Sequence, residues 1–186
     1  MENTKWRKYT LEPQLGERLQ RIYRLAKKPA NLADYIKLGQ ELIMSQPEGR
    51  TFIEAIRSGK TVIGETVEER GYSIDKGGHR VNVMCAYDAL HTAVIRGQGL
   101  IKAACPHCGE KMEIRVEGSR VVNASPPSIV YWLGAGPKDA PGIPTCDHLH
   151  FFPNSEHLKA WIQTQQDELG VEMPVKEAAE YYAQVS

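Results

Sequence analysis

The repeat of apolar residues changes period near Thr61, and that change constrains the fold more than any single motif. Before it, Leu15, Leu19, Ile22 and Leu25 recur at helical spacing. After it, Met112, Ile114 and Val116 alternate, which puts them on one face of a strand. Helices that come first and strands that follow predict an α+β fold: a mostly antiparallel sheet with flanking helices, preceded by a helical N-terminal segment. The boundary divides the 186 residues into a helical segment, 1–60, and a core domain, 61–186.

Local signals place the elements. A first helix ends at Lys27-Lys28-Pro29. A second starts near Asn31 and carries Leu32, Tyr35, Ile36 and Ile43, and a short third stops at Gly59. Thr61 to Ser73 and Arg80 to Met84 read as strands around a Gly77-Gly78 turn. The stretch AYDALHTAVIRG reads as a helix closed by Gly97, with Cys85 and Asp88 at its N-terminus. A spacing of three brings those two side chains to one face. The helix end favours a thiolate at Cys85. LIKAA and MEIRVEG are strands joined by the turn CPHCGEK, and SIVYWLG is a third. A Gly/Pro-rich loop, GAGPKDAPGIPT, leads into CDHLHFF. Asn154 or Ser155 caps a helix carrying Leu158, Trp161 and Ile162, and a last helix starts at Pro174 with Ala178, Tyr181 and Tyr182 inward.

Composition narrows the partners. Hydrophobic residues at 41% and charged residues at 25% fit a globular chain. No apolar run approaches the roughly 18–20 residues that span a membrane, and the N-terminus has no apolar signal region. A cytoplasmic location, with reduced thiols and no membrane partner, is expected. Net charge is zero, so nucleic acid is not expected as a partner. Residues 1–28 carry eight basic against three acidic residues, a pattern that fits a solvated helix face; Trp6, Tyr9 and Tyr23 are too scattered for a base-stacking platform. No Gly-rich phosphate loop is present, so no organic cofactor is implied.

Four cysteines in such a chain, Cys85, Cys105, Cys108 and Cys146, point to metal or thiol chemistry before a disulfide framework. Cys105-Pro106-His107-Cys108 has three readings. A redox dithiol would need the second cysteine to run into a helix, whereas Gly109 and a strand follow. A zinc or soft-metal knuckle fits the turn, but its remaining ligands must come from elsewhere. A plain reduced turn is the third. Cys85 with Asp88 is, on spacing alone, as compatible with a buried cysteine and a helix N-terminal charge. His148 and His150 would project from one face of a strand, as metal ligands or as a hydrogen-bonded core pair. His79, His91 and His157 carry no signal.

Taken together, Cys85-Ala86-Tyr87-Asp88-Ala89-Leu90 and Cys146-Asp147-His148-Leu149-His150-Phe151-Phe152 resemble the two motifs of the organomercurial lyase (alkylmercury lyase) family. Their order, their separation and the following Trp-containing helix are similar across roughly residues 61–165. Three features depart from the pattern: the Cys105/Cys108 pair is extra, Asp147 stands where the family commonly has a second cysteine, and the N-terminal part differs. The resemblance implies cleavage of a carbon–mercury bond by protonolysis. Cys85 and Cys146 would ligate mercury and hold the Hg(II) product, and Asp88 would carry the proton. It also implies a small organomercurial substrate, and low-molecular-weight thiols or a Hg(II)-accepting protein as partners. The chemistry is consistent: mercury is soft and prefers thiolates, and a carboxyl beside it can pass a proton to the departing carbon. Which thiol binds first stays open. So does a different class of function, a thiol-based metal-binding or metallochaperone protein on the same scaffold. Zinc at Cys105/Cys108 is the further metal expected.

Overall fold

The computed structural model describes residues 4–45, 49–76, 78–136 and 146–185. Residues 137–145 of the expected loop, 134–145, and Gly77 of the expected turn lie outside them, whereas Gly134 and Ala135 of that loop end a strand. Three helices open the chain: α1 (Pro13–Tyr23), α2 (Leu32–Ser45) and α3 (Gly49–Arg57). Pro13 starts α1 where its missing N–H is not needed. Asn31 caps α2 by accepting the Asp34 N–H at 3.0 Å. The inward stripes, Leu15, Leu19 and Ile22 on α1 and Leu32 and Ile36 on α2, are buried. These residues belong to one apolar cluster that runs from Trp6 to Tyr182. Trp6 is wholly buried, packs edge-on against Tyr181, and its Nε1–H donates to Gln184 Oε1 at 3.0 Å.

The strands are β1 (Glu65–Thr66), β2 (Tyr72–Lys76), β3 (His79–Val83), β4 (Gln98–Ala104), β5 (Lys111–Glu117), β6 (Arg120–Ser125), β7 (Val130–Ala135), β8 (Leu149–Phe152) and β9 (Leu169–Pro174). Between and after them come α4 (Ala86–Arg96), α5 (Ser155–Ile162) and α6 (Val175–Val185). A six-stranded sheet has the order β1-β3-β2-β4-β5-β6, and a three-stranded sheet the order β8-β7-β9. Every pairing is antiparallel. The α+β expectation therefore holds, with the helical segment ahead of the sheets.

Three strand expectations are corrected. Thr61 to Ser73 is not one strand: Gly64 and Gly71 adopt φ of +58° and +79°, which turn the chain and leave only two residues in β1. β6 carried no alternation to find. A register shift between Arg115 and Val116 sets its inward residues, Val121 and Ala124, three apart instead of two. β9 was hidden by Gly170 and Pro174. It is an edge strand, where proline is tolerated, and the Trp132 ring lies across Gly170 so closely that a Cβ there would meet Cζ2 at 2.4 Å. The last helix accordingly starts one residue later, at Val175.

Candidate active site

α4 carries one half of the site. Ala86, Ala89, Leu90 and Ala93 bury one side of it, and small residues let it lie close on β4: a Cβ at Gly99 would stand 2.9 Å from Ala93 Cβ. Cys85 is the N-cap, extended at φ −160°, and its side chain makes no capping hydrogen bond. Asp88 sits in the first turn and turns back, so that both the thiol and the backbone N–H of Cys85 face its carboxylate. The other half comes from a single 3-10 turn, Cys146–His148, that runs into β8.

These elements bring the three expected residues together. Cys85 Sγ lies 3.4 Å and Cys146 Sγ 4.0 Å from the same oxygen, Asp88 Oδ2. The three donor atoms are all within 4.8 Å of one another. Cys85 and Asp88 are buried, whereas Cys146 is half-buried. The expectation of a thiolate at Cys85 is reversed. Its thiol is pushed up, first by its hydrogen bond with Cys146, then by burial and by the Asp88 charge. Cys146 is lowered, chiefly because it accepts that bond. The helix end acts on Cys85, but burial beside a carboxylate outweighs it. Burial also raises Asp88, opposed by the thiol and amide of Cys85. Gly64 makes the room for this carboxylate: a Cβ there would stand 2.1 Å from Oδ2.

The two histidines support the turn from different elements rather than sharing a strand face. His148 ends the 3-10 turn, and His150 lies on β8. His148 Nδ1 is 2.6 Å from Glu168 Oε2, whose other oxygen accepts the Trp132 Nε1–H at 2.8 Å. That carboxylate side chain is only 1% exposed. His150 Nε2 lies 2.8 Å from the Asp147 carbonyl and its Nδ1 2.6 Å from Tyr72 Oη. The carbonyl can only accept, so Nε2 carries the hydrogen and Nδ1 accepts from the tyrosine. Burial lowers His150, which keeps this neutral form. Among the described residues neither histidine joins a group of potential metal ligands.

Cys105 and Cys108 form a second group, separate from the first, and His157 completes it. Cys108 Sγ is 3.2 Å and Cys105 Sγ 3.9 Å from His157 Nδ1. His157 is the functional candidate that sequence reasoning missed. Asn154 caps α5 by accepting the N–H groups of Glu156 and His157, which aims the imidazole at a turn 49 residues earlier. The cap was legible, but the pairing depends on the sheet topology. All four cysteines are free thiols.

A thiol, a carboxyl and a second thiol from two separate motifs invite comparison with known families. The family model for alkylmercury lyase matches residues 66–185. The chain belongs to the alkylmercury lyase family. Ten chains of solved structures also match. One, described as the "Crystal structure of the mercury-bound form of MerB2", is similar over 94% of this chain and 91% of its own, with 18% identity and a TM-score of 0.56. At that identity the likeness concerns the fold. No curated protein matches. Among the described residues, no helix is long and apolar enough to cross a membrane.

Proposed function

We propose that this member of the family is an organomercurial lyase that cleaves the carbon–mercury bond by protonolysis, with Cys85, Asp88 and Cys146 as its catalytic residues. The observation that carries the reading is one carboxylate oxygen placed 3.4 and 4.0 Å from two thiol sulfurs. Cys146, half-buried and the more acidic thiol, captures R–Hg⁺ as a thiolate and displaces its counter-ligand. Cys85 then adds to mercury, and its proton passes to Asp88, which burial makes a willing acceptor. Two thiolates on mercury enrich the carbon in electrons. Asp88 returns the proton to that carbon, the bonding pair leaves with it, and R–H departs. Hg(II) remains on Cys85 and Cys146, as a product, until small thiols or an accepting protein remove it. The proton that leaves Cys85 is the one that reaches carbon, so the step requires no organic cofactor.

The test is hydrocarbon release from methylmercury or phenylmercury in excess thiol, for the native chain and for Asp88→Asn. The variant is expected to bind the organomercurial with normal stoichiometry and to release hydrocarbon at least about a hundredfold more slowly, the usual contribution of a positioned acid–base group. Full turnover by Asp88→Asn would remove the carboxyl from the mechanism. Binding without release by the native chain would instead favour a metal-holding protein on this scaffold.

A further inference from the structure

The Cys105 turn and the start of α5 meet at a group of donors that shares no residue with Cys85, Asp88 and Cys146. Tyr72 lies near both groups: its phenol is pushed up first by burial and then by Cys85 and Cys105. We propose that Cys105, Cys108 and His157 form a second metal site, which holds one thiophilic divalent ion, zinc(II), and pins the β4–β5 turn to α5.

Four observations support it. First, three soft or borderline donors from distant parts of the chain converge, all within 4.8 Å of one another. Around a tetrahedral zinc with Zn–S of about 2.3 Å and Zn–N of about 2.0–2.1 Å, a sulfur and a nitrogen ligand lie about 3.6 Å apart. The two sulfur–nitrogen distances, 3.2 and 3.9 Å, fall on either side of that value. Second, the turn is shaped for thiolates. Gly109, at φ +77°, closes it with its N–H on the Cys105 carbonyl at 2.8 Å, and the Cys105 N–H returns to the Glu110 carbonyl at 2.9 Å. The backbone N–H groups of His107 and Cys108 then point at Cys105 Sγ. Two amides directed at one sulfur supply the hydrogen bonds that a metal-bound thiolate accepts. Third, exposure is graded: Cys105 is buried, His157 half-buried and Cys108 exposed. An ion can therefore arrive from solvent and keep a fourth position for water. His107 lies edge-on to His157, with ring centroids 6.2 Å apart, outside the donor group.

Fourth, the fold gives such an ion something to hold. α5 has only eight residues and buries Leu158 and Trp161, too little to make a helix stable by itself. Trp161 packs edge-to-face on His150, ring centroids 4.9 Å apart, and His150 bonds the Asp147 carbonyl beside Cys146. A staple between His157 and the β4–β5 turn thus steadies one wall of the mercury site without lending it a ligand.

The test measures metal, not hydrocarbon, so it can fail while the lyase reading stands, and the reverse. The native chain, purified under reducing conditions without a chelator or a metal-charged column, is expected to contain one zinc per chain by mass spectrometry. Cys108→Ser and His157→Ala should each lose it at least tenfold, whereas Cys146→Ser should keep it. Because His157→Ala could loosen α5, cobalt(II) is also titrated into the stripped native chain. One equivalent should develop a thiolate-to-cobalt charge-transfer band and tetrahedral d–d bands, both missing in Cys108→Ser with an unchanged circular dichroism spectrum. A native chain that binds neither zinc nor cobalt stoichiometrically overturns the proposal. So does zinc that persists in His157→Ala, or zinc that leaves with Cys146.

Discussion

The carboxylate of Asp88 occupies the space that a side chain at Gly64 would fill, so Gly64→Ala tests the site without touching any of its donors. A Cβ on Gly64 would stand 2.1 Å from Asp88 Oδ2, and real Cβ contacts essentially never fall below 3.0 Å. The carboxylate must therefore shift by about 0.9 Å, the gap between those distances. A misplacement of about 1 Å in a reacting group costs on the order of a hundredfold in rate. Gly64 also has φ +58°, which an alanine adopts at a cost of about 1–2 kcal/mol. Gly118 separates the two effects, because it has nearly the same φ, +56°, and nothing within 4 Å of its Cβ position. Both alanine variants should therefore lose similar stability in thermal unfolding. Only Gly64→Ala should release hydrocarbon from phenylmercury about a hundredfold more slowly, while still binding mercury stoichiometrically. Equal release rates for the two variants would refute the argument that Gly64 sets the position of the carboxylate.

Four further outcomes follow from the geometry. Iodoacetamide at neutral pH should label Cys146 well before Cys85, as mapped by peptide mass spectrometry, because Cys146 is half-buried and lowered while Cys85 is buried and raised; equal labelling would contradict the order of capture. Asp88 is raised, so the folded state holds its proton longer than the unfolded state, and stability falls as pH rises from the unfolded value of 3.8 to the folded one. The melting temperature of Asp88→Asn relative to native should therefore increase from pH 4 to pH 7. His91 behaves oppositely. Burial among Tyr87 and Tyr182 lowers it from 6.5 to about 4, so its contribution is complete above pH 6.5 and is lost as pH falls to about 4. That loss is up to about 3 kcal/mol, and His91→Gln should flatten the acid limb of the stability profile. Trp6→Ala should destabilise the whole chain by about 3–5 kcal/mol in a single transition, since Trp6 is wholly buried against α6.

Most helices and the central strands were readable because their signals are local. Gly97 closes α4, Asn154 caps α5, and β5 alternates its buried and exposed residues without a break. β6 and β9 were not, because a bulge, a glycine under a tryptophan and an edge proline each erase the period that a reader counts. The site divides in the same way. Cys85 and Asp88 are three apart on one helix, so their meeting follows from spacing. That Cys146 joins them became legible only through the likeness of two motifs, since 58 residues separate its sulfur from Asp88. The charge state of Cys85 is not legible, because a helix end is visible in sequence and burial is not. His157 is not legible as a ligand because its partners, Cys105 and Cys108, lie 52 and 49 residues away in the chain.

Cys85 stands at a helix N-cap and makes no capping hydrogen bond. Serine is among the residues that cap best, typically by about 1 kcal/mol over one that cannot, and it differs from cysteine by one atom. Exchanging that sulfur for oxygen would leave α4 as well anchored or better. Helix anchoring therefore gives no reason for a sulfur at this cap.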